Sequence, residues 1–215
     1  MVSMNKYMGF YELRAIGIPT VPWQRFDEDT VLDGRLLWTI RVAVEGGNDL
    51  NLPRAVGVCA DEAVQKGREF MKEYAGRGMV IYYPYFIAQK SGVLDINNGR
   101  TVIEAVERDL WNLVTNGKRN VTAVFPSGSL NGAAERMELG STGLNGIQVI
   151  GDESFLSMEE IQELLKNSAV LRGRFRDELN EGKSILTEWS YAYSTDMGHE
   201  PEGDRYLVFY ELRLL

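Results

Sequence analysis

Strand-forming segments follow one another in this chain with few helices between them, and this order restricts the fold more than any other feature of the sequence. Segments rich in β-branched and aromatic residues predict strands at 36–44, 79–88, 92–96, 101–103, 121–125, 185–193 and 205–212. Helical spacing and capping signals predict helices at 6–16, 61–74, 104–114 and 157–179. Because a parallel β-α-β fold needs a helix between successive strands, we expect an α+β fold with mixed or antiparallel sheets.

The length and charge of the chain exclude several classes of protein. Its 215 residues are enough for one large domain or two small ones. The 31 acidic and 23 basic residues give a net charge of −8, which argues against binding to the phosphates of a nucleic acid. The sequence has neither a signal-peptide pattern at its start nor an uncharged run of the ~18–20 residues that a membrane helix needs. We therefore expect a cytoplasmic protein without nucleic-acid or membrane partners.

The chain has one cysteine and one histidine, and this limits its chemistry. With Cys59 alone, an intrachain disulfide and a zinc–thiolate cluster are both excluded, as is typical of a reducing compartment. His199 lies in the turn-like segment MGHEPEGD, and we interpret it as a solvated loop residue. The glycine- and serine-rich stretch 126–145 predicts a long loop.

The last two predicted strands each carry a glutamate. If Tyr193 pairs with Tyr206 in a uniform antiparallel register, Glu188 lies opposite Glu211, and Glu211 shares a face with Phe209. Like charges directly opposite each other are destabilising, so Glu211→Gln is expected to stabilise the metal-free protein. A pair of carboxylates also suits Mg²⁺ that is bound together with phosphates. The alternative is a solvent-facing sheet surface with ordinary acidic residues.

Arg41 interrupts the apolar segment LLWTIRVAV. An unpaired buried charge is very costly, so this side chain must face water, a carboxylate or an anionic ligand. The alternative is an arginine on a half-exposed strand whose guanidinium extends to solvent.

Short motifs along most of the chain resemble those of a known family in the same order. The run Lys6-Tyr-Met-Gly-Phe-Tyr-Glu-Leu and the following Gly17-Ile-Pro-Thr-Val-Pro are similar to K-G-A-x-L-x-E-L and G-(I/L)-x-V-P. Residues 40–44, 80–94 and 103–110 are similar to V-R-S-S-A, V-V-Q-x-M-V…S-G-V-L and I-E-A-x-x-G-L, and residues 186–190 and 209–213 to D-I-E-W-A and L-Q-x-R. Together they resemble the N-terminal ATP-binding domain of the phosphoenolpyruvate synthase, pyruvate phosphate dikinase and rifampin phosphotransferase family, an ATP-grasp-like module.

The resemblance implies an ATP cleft between two subdomains, residues 1–77 and 78–215. In such a cleft the phosphates of ATP would be held by Lys6, Arg41 and Arg213, with Arg41 and Arg213 also serving catalysis. The adenine would lie against Tyr82, Tyr83 and Tyr85, and Mg²⁺ would be held by Glu188 and Glu211.

The chain also departs from the family pattern. Two glutamines of the motifs are replaced by Tyr83 and Glu211, and the tandem serines after the arginine are replaced by Val42 and Ala43. No segment matches the family's phosphorylated histidine domain, so the expected acceptor is a histidine of a partner protein or a small molecule.

Three functions therefore stay open. The first is Mg²⁺-assisted phosphoryl transfer from ATP, as in a dikinase-like phosphotransferase. The second is a non-catalytic relative that binds a nucleotide or a partner protein. The third is an ATP-grasp ligase that joins a carboxylate to an amine, although Glu211-Leu-Arg213 lacks the asparagine of the usual E-x-N signature.

Overall fold

A computed structural model of the chain describes residues 4–47, 51–110, 113, 117–127 and 146–215. The helices in these ranges are α1 (Lys6–Ile16), α2 (Ala60–Glu73), α3 (Met158–Arg174) and α4 (Arg176–Asn180). The strands are β1 (Gln24–Arg25), β2 (Trp38–Val44), β3 (Arg54–Val58), β4 (Gly78–Pro84), β5 (Phe86–Ile96), β6 (Arg100–Glu107), β7 (Val121–Pro126), β8 (Gln148–Gly151), β9 (Ile185–Thr195) and β10 (Pro201–Leu214). They form two antiparallel sheets, so the α+β prediction is confirmed.

The smaller sheet has four strands in the order β1-β4-β2-β3, and α2 covers one of its faces. The covered face is apolar because alternate residues of β2, including Trp38 and Ile40, point towards the helix and are buried. Gly67 lets α2 come close to the sheet, since a Cβ there would overlap the ring of Phe26. The sheet includes β4, which lies beyond the boundary predicted at residue 77.

The larger sheet has six strands in the order β10-β9-β5-β6-β7-β8, and α3 packs on one of its faces. The predicted capping box is confirmed: the Ser157 hydroxyl accepts from the Glu160 N–H at 3.3 Å, and the Glu160 carboxylate accepts from the Ser157 N–H at 2.7 Å. Leu164 and Leu171 of α3 are fully buried against this sheet, next to Trp189. The opposite face of the sheet is turned towards the smaller sheet.

An apolar cluster joins the two sheets. Its buried members come from α1, from both sheets and from the segment after α1, and they are Phe10, Val21, Trp23, Ala43, Met79, Ile81, Tyr83, Ala192 and Val208. We call this set the inter-sheet cluster. The helix α1 also lies directly on β10, because Gly9 has no side chain and a Cβ there would overlap the carbonyl oxygen of Leu212.

Two sequence-based assignments differ from the structure. The helix predicted at 104–114 is wrong at its start, because Glu104–Glu107 end strand β6. Pairing with β5 on one side and β7 on the other buries Ile103 and Ala105, and this tertiary pairing overrides the local helical propensity. Residues 89–91, expected to separate two strands, lie within β5, which continues through a register shift between Ala88 and Lys90.

Two segments predicted from the sequence are described only in part. Residues 111, 112 and 114–116 of the predicted helix, and 128–145 of the predicted loop, lie outside the described residues. The short strands β1, β3 and β8 were not predicted from the sequence. Within the described ranges, no helix is both long and apolar enough to cross a bilayer.

Candidate functional site

A β-bulge in β10 places the two glutamates. Glu188 pairs with Glu211, as the sequence predicts, but the uniform register is wrong because Tyr206 pairs with Ala192 and the register shifts between Phe209 and Glu211. Phe209 pairs with Trp189, the neighbour of Glu188. The side chain of Phe209 is fully buried in the core of the larger sheet. The extra residue of the bulge therefore turns Glu211 to the opposite face from Phe209, towards the smaller sheet.

Three cations converge on Glu211 from three different elements. The Nζ of Lys6 in α1 lies 3.1 Å from Oε2 of Glu211, and Nη2 of Arg41 in β2 lies 3.4 Å from the same oxygen. In β10 itself, Nε of Arg213 donates to Oε1 of Glu211 at 2.9 Å. The Glu211 side chain is 5% exposed, and the three cationic side chains are 11–17% exposed. We call these four residues together with Glu188 the charge cluster.

The two facing carboxylates have different electrostatic environments. Burial raises the pKa of Glu211, but the charges of Arg41, Lys6 and Arg213 outweigh it and hold this pKa below its usual range. Burial raises the pKa of Glu188 to about 7, and the negative charge of Glu211 adds to this shift. Glu211 is therefore the ionised partner of the three cations, while Glu188 resists ionisation.

The structure separates the three tyrosines that were expected to lie against an adenine. Tyr83 is buried beside Arg41, and its hydroxyl together with Glu211 raises the pKa of the guanidinium against the effect of burial. Tyr82 points to the other face of the sheet, where its hydroxyl donates to Oε1 of Gln24 at 2.8 Å. Tyr85 connects β4 of the smaller sheet to β5 of the larger sheet.

A chain of hydroxyl groups beside Glu188 was missed by the sequence analysis. The hydroxyls of Ser91 and Ser190 are 2.8 Å apart, and the Ser190 hydroxyl donates to the Tyr210 hydroxyl at 3.4 Å. Burial raises the pKa of Tyr210, and the charge of Glu188 raises it further. Alternation along β9 places Ser190 on the face of Glu188, so that residue could have been found; Tyr210 required knowledge of the bulge.

The residues of the charge cluster have the chemistry of a phosphate site. Lys and Arg side chains neutralise phosphate oxygens, and an arginine can bind two of them at once. Two carboxylates form part of the donor set for Mg²⁺, which is usually held by one or two carboxylates together with substrate phosphates. The described part of the chain contains no group of three or more His, Cys, Asp or Glu side chains that could hold a metal by itself. Glu188 and Glu211 alone would therefore need further oxygen ligands to hold Mg²⁺.

Comparison of the sequence with protein-family models and with curated proteins gives no match. Among solved structures, the chain is similar to the dinucleotide forming acetyl-coenzyme A synthetase 1 of Ca. Korarchaeum cryptofilum, in complex with coenzyme A, Ca-AMPCP and HgCl+. The TM-score is 0.55 at 12% identity, and the match covers 99% of this chain and 93% of that chain.

A second match is D-alanyl-alanine synthetase A of Vibrio cholerae O1 biovar eltor, with a TM-score of 0.45 and 12% identity. It covers 97% of this chain and 54% of that chain. The resemblance to the phosphoenolpyruvate synthase family stays a prediction. The two antiparallel sheets with flanking helices are an α+β fold of the ATP-grasp type.

Proposed function

We propose that the chain binds Mg-ATP at the charge cluster and transfers the terminal phosphoryl group to an acceptor carboxylate. One observation carries the proposal: Lys6, Arg41 and Arg213 meet on one carboxylate, with a second carboxylate opposite it, between the two sheets of an ATP-grasp-type fold. The similar solved structure is an acetyl-coenzyme A synthetase, so an acyl carboxylate is the acceptor class that we propose.

In this proposal the residues of the cluster exchange partners when the nucleotide binds. The three cations leave Glu211 for the phosphate oxygens, where they stabilise the negative charge of the transferred group. Glu188 and Glu211 then hold Mg²⁺, which would neutralise charge on the same phosphates. Tyr83 keeps the Arg41 guanidinium in place from the smaller sheet.

Thermal melting tests the binding step. A ligand that binds only the folded protein raises its melting temperature, so Mg-ATP should stabilise the parent. Lys6→Gln should abolish or strongly reduce this shift. Lys66→Gln is the matched control, because Lys66 pairs with Glu69 on the exposed face of α2, and it should keep the shift. If Mg-ATP, Mg-ADP and Mg-AMP all leave the parent's melting temperature unchanged, the proposal is wrong.

Product analysis tests the reaction class. With acetate as the probe carboxylate, transfer of the phosphoryl group gives ADP and acetyl phosphate, and hydroxylamine as a trap converts the acetyl phosphate to a hydroxamate with release of inorganic phosphate. AMP without a hydroxamate would instead indicate dikinase-like chemistry, with a histidine or another small molecule as the acceptor.

A non-catalytic nucleotide-binding protein is the second candidate, and one observation favours it. Val42 and Ala43 stand where the related family has two serines, and both are buried, so two polar phosphate contacts are replaced by apolar packing. A melting shift with Mg-ATP that is accompanied by no ADP or AMP, with or without acetate, would support this candidate.

A further inference from the structure

The only histidine of the sequence, His199, lies in an exposed turn between two strands of the larger sheet, as predicted, and its ring contacts Tyr85. The ring of His199 is 5.7 Å from the ring of Tyr85, at an angle of 66°. Both rings lie over Gly57 of β3, where a Cβ would be 3.0 Å from Cε1 of His199 and 3.2 Å from Cε1 of Tyr85. A turn between two strands of the larger sheet therefore reaches the edge strand of the smaller sheet.

The turn that carries His199 has its own internal structure. One carboxylate oxygen of Asp196 accepts from the N–H groups of Gly198 and Glu200 at 2.8 and 2.9 Å. His199 itself has a φ of 63°, an uncommon conformation for a residue with a side chain. These hydrogen bonds stay within the turn, so the turn can move away from Gly57 without losing them.

Tyr85 and the charge cluster are far enough apart to bind opposite ends of one nucleotide. The Tyr85 N–H donates to the carbonyl of Leu37 at 2.8 Å, and Leu37 precedes Arg41 by four residues, about 13 Å at the usual rise of a strand.

We propose that His199 occupies the position of a nucleobase and is displaced when the nucleotide binds. This inference rests on the proposed function, since it assigns the base end of the same ligand. An imidazole ring is one half of a purine, and here it packs edge-on to Tyr85 above a residue without a side chain. A purine ring would lie against Tyr85 and the backbone of Gly57, with its phosphates extending towards Arg41.

Proton NMR tests the displacement on the parent protein. One histidine gives one Cε1–H resonance, and the loss of that signal in His199→Ala identifies it. ATP and adenosine should both shift the resonance, because the ring leaves the field of the Tyr85 ring. Inorganic tripolyphosphate should leave it in place, because this probe has no base.

Affinity measurements on variants give an independent test. His199→Ala removes a competing aromatic contact, so calorimetry should show an about two- to tenfold lower Kd for ATP. Met197→Ala, in the same exposed turn, is the matched control and should leave the Kd unchanged.

The outcomes separate this inference from the proposed function. If tripolyphosphate and ATP raise the melting temperature but ATP leaves the His199 resonance unmoved, the inference is wrong and the phosphate site stands. An unchanged or higher Kd in His199→Ala also contradicts it. If adenosine moves the resonance and tripolyphosphate gives no melting shift, the base site stands and the assignment of the charge cluster is wrong.

Discussion

Glu188 and Glu211 are identical residues on neighbouring strands, yet the loss of their charges is expected to change the stability of the protein in opposite directions. Glu211 is surrounded by the Lys6, Arg41 and Arg213 cations, and Glu188 lies opposite it on β9. The expectation that Glu211→Gln stabilises the metal-free protein treats the pair in isolation. The three cations reverse that expectation.

Glu211→Gln should destabilise the protein by about 3 kcal/mol, because it removes the buried carboxylate that three half-buried cations share. Urea unfolding in metal-free buffer measures this free energy. Glu69→Gln, which removes an exposed carboxylate on α2, serves as the control and should change stability little. A higher unfolding free energy in Glu211→Gln would mean that repulsion from Glu188 dominates after all.

Glu188→Gln should stabilise the protein, and the gain should grow with pH. The pKa of Glu188 is raised to about 7 by burial and by Glu211, so the folded state prefers the protonated form. Its contribution to stability is complete below the unfolded pKa of about 4.5 and is lost as pH rises through about 7. At pH 8 the variant should exceed the parent by on the order of 1–3 kcal/mol, and near pH 4.5 the two should converge. If the variant and the parent have equal unfolding free energies at every pH in this range, the raised pKa of Glu188 is contradicted.

Single residues of the site differ in how far the sequence reveals them. Arg41 stands out because an arginine in an apolar strand needs a partner. The pairing of Glu188 with Glu211 is predicted, but alternation places Glu211 on the wrong face, that of Phe209, because the bulge has no signal in the sequence. Strand alternation places the neighbours Tyr82 and Tyr83 on opposite faces of the smaller sheet, so the position of Tyr82 could be predicted. Tyr210 and His199 carry no such signal, because their places depend on a bulge and on a contact between two sheets.

At the scale of elements, α1 lies on β10 without a side chain between the two backbones at Gly9. Gly9→Ala should destabilise the protein by about 2 kcal/mol, because the added methyl group would push the helix away from Leu212. The same displacement moves Lys6, at the start of this helix, away from Glu211, so nucleotide binding should weaken as well. Thermal melting with and without Mg-ATP measures both effects.

Gly173→Ala is the matched control for that substitution. It also adds a methyl group to a helix, but a Cβ at Gly173 in α3 meets no atom within 4 Å. It should stabilise the protein by up to about 1 kcal/mol, because alanine favours the helix. If Gly9→Ala and Gly173→Ala change the melting temperature equally, the close approach of α1 to β10 does not contribute to stability.

The elements themselves were predictable where local signals agreed with pairing. Helix α3 was found from its capping box and helical spacing, and β9 and β10 from alternation. The end of β6 was missed because Glu104–Glu107 has a helical composition, and only its two neighbouring strands hold it extended. Which sheet β4 joins could not be deduced either, because strand order is a property of long-range pairing.

At the scale of the whole molecule, the inter-sheet cluster and the Arg41–Glu211 ion pair connect the two sheets. We therefore expect one cooperative unfolding transition, with the same midpoint by circular dichroism and by tryptophan fluorescence. The fluorescence would report both regions, since Trp38 lies in the smaller sheet and Trp189 in the larger. Two separated midpoints would show that the sheets unfold independently and that their contact contributes little.

The bulge in β10 has a consequence for changes in chain length. The strand runs in one register up to Phe209 and in another from Glu211 onwards. Deleting Tyr210 would remove the bulge and leave a regular strand in which Glu211 directly follows Phe209, still opposite Glu188 and on the face of the cations, with Leu212 in the core. A deletion at Val208 would instead exchange the faces of the residues on one side of it, and would turn either Phe209 or Leu207 out of the core. When homologues of this protein are compared, the loss of residue 210 is therefore expected to be compatible with the site, whereas a one-residue change elsewhere in the strand is not.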